Sequence, residues 1–181
     1  MPARVVLTLT GPDQIGIVDK LTGHVLEHGG NVEMSRMARL GGEFAVLMLV
    51  ALPDERSSDA LMQSLASLTA SGYTLTLSPS RTLAAEPHPG WVPYRIDVHG
   101  ADHEGIIHEV AHYLSAQGIS IDEMESECSP APTSGTPLFA MTANIVVPPG
   151  LDPDAWRPGL AEIARRLNLE IEVIPIGRSG A

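Results

Sequence analysis

Cysteine is nearly absent from this sequence. Cys128 is the only one among 181 residues, which excludes an internal disulfide and points to a reducing compartment. Lysine is as scarce. Lys20 stands alone, on the side of its helix expected to face solvent, so a Schiff-base role is not expected. Aromatics make up only 4% of the chain, so the core must be aliphatic. The longest apolar run, Phe44 to Leu52, has nine residues, against ~20 for a membrane-spanning helix. The opening Met1-Pro2-Ala3-Arg4-Val5-Val6-Leu7 lacks a signal-peptide pattern and runs into Gly11-Pro12. There is no Asn-x-Ser/Thr acceptor. These absences lead us to expect a soluble, cytoplasmic protein. Positive charge is also short: 11 basic residues face 22 acidic ones, for a net charge of −11. Residues 1–90 carry −3 and residues 91–181 carry −8. Such a chain has no general attraction for nucleic acid or anionic lipid.

What is present is an apolar fraction of 44%, enough for a packed core. It is arranged twice. Gly11-Pro12-Asp13-Gln14-Ile15-Gly16-Ile17-Val18 lies over Gly100-Ala101-Asp102-His103-Glu104-Gly105-Ile106-Ile107 at an offset of 89. The same offset sets Val5, Leu7 and Leu9 over Tyr94, Ile96 and Val98, and Val32 over Ile121. Beyond Ser129–Thr136 the offset grows to 95, and Phe44 meets Phe139. That stretch of turn-formers reads as a longer loop. Two copies of ~80 residues indicate a duplicated domain rather than a solenoid.

Each copy predicts the same elements. Val5, Leu7 and Leu9 alternate with polar residues, as in a half-buried strand. Ile15, Val18, Leu21, Thr22 and Val25 share a helical face, and Gly29-Gly30 ends that helix. Val32 to Arg39 and Phe44 to Ala51 read as strands joined by a Gly41-Gly42 turn, the second of them central. Ser57 or Ser58 is expected to cap a second helix carrying Leu61, Leu65 and Leu68. Tyr73, Leu75 and Leu77 complete the copy. In the second copy Asp152-Pro153 opens the corresponding helix, and Pro158 is expected to kink it or shift its start. The fold class is therefore α+β: two ferredoxin-like βαββαβ domains, each an antiparallel four-stranded sheet with two helices on one face. The expected boundaries are residues 1–80, a linker at 81–92, residues 93–176, and a loose tail at 177–181.

The repeated unit resembles the ACT domain, a small amino-acid-sensing module. The resemblance rests on Gly-Pro-Asp-x-x-Gly-Ile-Val after the first strand and on Gly29-Gly30-Asn31-Val32. Two copies with no catalytic domain resemble the glycine cleavage system transcriptional repressor family. The first copy is also similar to the N-terminal segment of formyltetrahydrofolate deformylase, whose catalytic domain has no room here. The resemblance implies units that pair through sheet edges or helices and bind a free amino acid where they meet. Carried over by motif, the ligand-binding positions are Asp13, Gln14, Ile15, Gly16 and Ile17, with Asn31 and Val32 from a neighbouring unit. In the second copy they are Asp102, His103, Glu104, Gly105 and Ile106, with Ser120 where the asparagine would stand. The chemistry agrees, because free N–H groups at a helix start can hold a carboxylate. Asp13 is a candidate for the ligand's ammonium, or else simply for the helix cap.

The remaining motifs carry less. His108-Glu109-Val110-Ala111-His112 matches the zincin pattern, but both histidines are expected on the exposed face, and a third ligand and a walled cleft are lacking. Adventitious metal there, or a cluster with His99 or His103, is the better expectation for these imidazoles. Asp122, Glu123, Glu125 and Glu127 crowd an expected edge strand, where charge discourages sheet-to-sheet aggregation. Nearby acids make Cys128 a poor nucleophile. No nucleophile elbow, phosphate loop or dinucleotide fingerprint occurs. We therefore expect a non-enzymatic regulatory protein with no catalytic residue, resident metal or cofactor. It would be a homo-oligomer that binds a small amino acid and signals to a protein partner. A ligand-free interaction module is the alternative, and a metal enzyme using His108 and His112 stands behind it.

Overall fold

The structure, a computed structural model, describes residues 3–80, 88–132 and 134–177. The chain divides into two compact units, Met1–Ala85 and Glu86–Ala181. The first unit contains β1 (Ala3–Pro12), α1 (Ile17–Glu27), β2 (Asn31–Leu40), β3 (Glu43–Leu52), α2 (Glu55–Ser64), α3 (Ala66–Ala70) and β4 (Thr74–Pro79). The second contains β5 (Val92–Ala101), α4 (Ile106–Ala116), β6 (Ser120–Pro130), β7 (Pro137–Val147), α5 (Pro153–Leu167) and β8 (Leu169–Pro175). Most of the expected linker, residues 81–87, and the tail residues 178–181 lie outside the described residues.

The sheets run β2-β3-β1-β4 and β6-β7-β5-β8, with every pairing antiparallel. The apolar character of β3 on both faces, legible in sequence, matches its central place. Alternate residues of each sheet face the helices. In the first unit Val5, Leu7, Leu9, Val46, Met48 and Val50 pack with Ile17, Leu21, Val25, Leu61, Leu65 and Leu68. In the second, Ile96, Val98, Met141 and Ile145 pack with Ile106, Val110, Leu114, Trp156 and Leu160. Leu7, Leu9, Leu21 and Leu61 are fully buried, each stabilising the fold by ~1.5–3 kcal/mol through the apolar area removed from water.

Four local expectations need correction. Ile15 is not on the helical face. It is wholly exposed, because the Ile17 amide bonds to the Gln14 carbonyl at 3.2 Å and Gly16 starts the helix with φ 87°. That turn throws Ile15 outward. Second, neither Ser57 nor Ser58 caps α2. Asp54 does, accepting from the Ser57 amide at 2.8 Å and the Ser57 hydroxyl at 2.9 Å. Third, the second helix of this unit is broken at Leu65 into α2 and α3. Fourth, of the two effects expected of Pro158, a kink or a shifted start, the shift does not occur: α5 runs from Pro153 to Leu167. The carbonyl deprived of its partner belongs to exposed Asp154, where water can replace the missing amide.

Candidate functional site

The loop between β1 and α1 is held from three sides. The Asp13 amide donates to the Gly42 carbonyl at 3.1 Å. The Tyr73 hydroxyl donates to the Pro12 carbonyl at 2.8 Å. Arg39 Nε on β2 meets Asp13 Oδ2 at 2.7 Å. Asp13 therefore does not cap α1. The N-cap is Gly16, with no side-chain bond, and the first helical bond runs from Lys20 N to Gly16 O at 3.0 Å. The Val18 and Asp19 amides precede that bond and have no intrahelical partner. Above Gly16 the space is open: a β-carbon there would have no neighbour within 4 Å. A small anionic group can approach the helix start directly. Gln14 and Ile15 are exposed, while Ile17 turns its side chain into the core. Ile17 thus shapes the loop from below.

The second loop repeats this plan with different chemistry. The Asp102 amide donates to the Pro137 carbonyl at 3.0 Å, and Gly105, φ 90°, starts α4 in the same open surroundings. The residue facing Asp102 is not an arginine but Cys128, at the position matching Arg39. Burial and the Asp102 carboxylate both push that thiol up from its ordinary value. His103 Nε2 lies 3.2 Å from the Leu167 carbonyl and Nδ1 lies 3.1 Å from the Glu104 carbonyl, so this loop is latched to the end of α5. Glu104 is exposed and Ile106 is buried.

Within one copy the candidate residues fall into two separate groups. Asn31 opens β2 opposite Ala51, which in turn pairs with Arg4 at the beginning of β1. The 13–17 loop follows Pro12 at the other end of β1. Eight residues of strand separate the two levels, on the order of 27 Å. Asn31 and Val32 therefore cannot share a ligand with the loop of their own unit. Ser120 stands in the same relation to the second loop, opposite Val146, which pairs with Pro93.

Sequence reasoning missed Arg39 and Cys128. The signal was available, since the offset of 89 sets one over the other, but nothing in the pattern said that either faced the aspartate. It also missed two hollows at matching corners of the sheets. One of ≈ 470 Å³ is lined by Gly11, Ala38, Leu40, Phe44, Ala45 and Thr74, among others. One of ≈ 590 Å³ is lined by His99, Ser129, Phe139, Ala140, Asn168 and Glu170, among others.

The zincin-like segment lies on α4 with His108 and His112 exposed. Glu109 is engaged by Arg166 Nη2 at 2.7 Å. Among the described residues no group of three or more His, Cys, Asp or Glu side chains is placed to hold a metal ion.

No helix among the described residues is long and apolar enough to cross a membrane. The family model of the ACT domain matches residues 3–76. The glycine cleavage system transcriptional repressor of Escherichia coli (strain K12) is 32% identical over 154 residues, 78% of this chain and 79% of that protein. The repressor of Shigella flexneri matches to the same extent. A crystal structure of an unknown protein from Galdieria sulphuraria is 29% identical, with a TM-score of 0.82 over 97% of this chain and 99% of that one. A second crystal structure, of a protein provisionally assigned as a glycine cleavage system transcriptional repressor, shares the fold. Its TM-score is 0.69 at 17% identity, over 97% of this chain and 98% of that one. The duplicated βαββαβ unit, its Gly-Pro-Asp loop and these likenesses agree: the chain belongs to the glycine cleavage system transcriptional repressor family and is a regulatory protein built of tandem ACT domains.

Proposed function

We propose that the chain is a non-enzymatic sensor that binds a small amino acid, such as glycine or serine, between ACT units. It would pass its state to a protein partner in the transcriptional control of glycine or one-carbon metabolism. The observation that carries this reading is the pairing of an open helix start at Gly16 with an asparagine at the far end of the same sheet. Neither half holds an amino acid alone. An antiparallel partner unit brings the loop of one to the Asn31 of the other. The unpaired amides of α1 receive the carboxylate. Because Arg39 already balances Asp13, the Asn31 side-chain oxygen is left to accept from the ammonium. Ligand bound there favours one arrangement of units over others, which is what coupling to a partner requires. The homo-oligomer supplies the neighbouring unit, and the chain acts in the cytoplasm. A net charge of −11 argues for action through a protein rather than on DNA itself.

The first copy is the better binder on this reading. Asp102 has no arginine to balance it, so it repels a carboxylate, and Ser120 offers one hydroxyl where Asn31 offers a donor and an acceptor. Calorimetric titration with glycine and with serine tests this. Asn31→Ala is expected to weaken binding of the preferred amino acid by roughly tenfold, the worth of ~1.4 kcal/mol of hydrogen bonding. Ser120→Ala is expected to leave it unchanged. Equal affinity in wild type and Asn31→Ala overturns the assignment.

A second reading, a ligand-free interaction module, draws on one observation. The helix-free face of the first sheet carries an apolar patch. Val6, Leu47, Leu49 and Met34 come together there by register, with Met34 57% and Leu47 48% exposed.

A further inference from the structure

His108 and His112 lie one turn apart on α4, both exposed. Their rings stand 5.8 Å between centroids and within 21° of parallel. Side chains at i and i+4 project from one face of a helix. Two imidazoles so placed need only small side-chain rotations to grip one cation, whose bonds to imidazole nitrogen are ~2.0–2.1 Å long. The carboxylate between them is not free to serve as a hydrolytic base. Arg166 holds Glu109 at 2.7 Å.

The i, i+4 pair on α1 is arranged differently. His28 closes the helix and turns its Nδ1 onto the His24 carbonyl at 2.8 Å, while the buried Nδ1 of His24 has no hydrogen-bond partner and lies 3.8 Å from Glu27 Oε2. One pair is spent on its own helix end and the other is open.

From these placements we infer that His108 and His112 form a two-point surface site for a divalent transition cation of the zinc, nickel or copper class. With two protein ligands, the remaining positions belong to water or to a donor from another molecule. The site is thus a docking point for metal and not the three-ligand centre of a hydrolase. Copper should bind most tightly and manganese least, in the order imidazole sites follow.

The test is titration of the untagged full chain with zinc and with nickel, followed by calorimetry. Wild type and His24→Ala are expected to take up one equivalent in a saturable step. His108→Ala and His112→Ala are each expected to lose that step, with circular dichroism and unfolding temperature unchanged, since both side chains are exposed. His108→Gln, which keeps a polar side chain at the same exposed position, is expected to lose it too. Absence of a saturable step in wild type, or its survival in the His108 and His112 variants, overturns the inference.

Discussion

Gly16 and Gly105 show how much a single missing β-carbon decides. Their φ values of 87° and 90° belong to the left-handed region, where an L side chain meets the following carbonyl. Gly16→Ala is expected to destabilise the first unit by ~1–2 kcal/mol, read from urea unfolding. Open space above the residue gives no relief, because the strain is in the backbone. Two carboxylates contribute to the acid limb of stability. The hydrogen bond from Arg4 holds Glu33 below its ordinary range, with burial opposing and the Arg4 charge adding. The Ser57 amide, then its hydroxyl, does the same for Asp54. A folded-state pKa below the unfolded one gives stability that is full above the unfolded value. That stability is lost as pH falls through the folded value. The unfolding temperature of wild type should therefore converge on that of Arg4→Gln and Asp54→Ala as pH drops from ~6 to ~3. A constant gap across that window contradicts both assignments. At this scale the sequence was half legible. Gly16 announced its turn by its place between a strand and a helix. Asp54 could have been read as a cap, since it follows Pro53 and precedes the apolar spacing, yet Ser57 and Ser58 offered the same chemistry three residues on. Only the chain direction after β3 decides between them.

At the scale of elements, period and punctuation carried most of the information. Alternation in β1 and β5, the glycine pairs and the spacing of Leu61, Leu65 and Leu68 placed strands and helices almost to their ends. Helix-on-helix packing was not legible. Gly159 on α5 lies under the ring of Tyr113 from α4, and a β-carbon there would enter the ring. The Tyr113 hydroxyl reaches the Trp156 carbonyl at 2.6 Å. Nothing in the sequence marks this glycine as a contact, because it stands inside a helix where glycine is usually a penalty. Gly159→Ala should raise helix propensity yet lower stability by ~1–3 kcal/mol through overpacking. A denaturant midpoint above that of wild type would show that Tyr113 moves aside freely. The edge strands β2 and β6 differ in charge. On β6, Glu123, Glu125 and Glu127 share the helix-free face with Asp97, Glu170 and Glu172 across the sheet. Arg95 at 2.9 Å and the Thr142 hydroxyl at 2.8 Å attend Asp97. On β2 the corresponding residues are Met34, Arg36 and Ala38.

For the whole molecule, duplication was the most legible feature, since one offset of 89 carried the loop, the first strand and the helix together. Which residues could meet a common ligand was not legible from spacing. Asp13 and Asn31 are eighteen positions apart, yet antiparallel register sends them to opposite ends of the sheet. The proposed site would form only when two units come together, with walls that one unit does not contain. The copies also differ at the proposed site: Cys128 stands where Arg39 does opposite the loop aspartate, and Ser120 stands where Asn31 does. The central claim is that the chain senses a small amino acid. The most direct test is the unfolding temperature of the untagged protein against each of the twenty amino acids. A ligand at 100 times its Kd adds ~2.7 kcal/mol, or ~5–11 °C for a chain of this size. The account predicts such a rise with one or two small amino acids, absent in Asn31→Ala. A folded protein that no amino acid stabilises at millimolar concentration would contradict it.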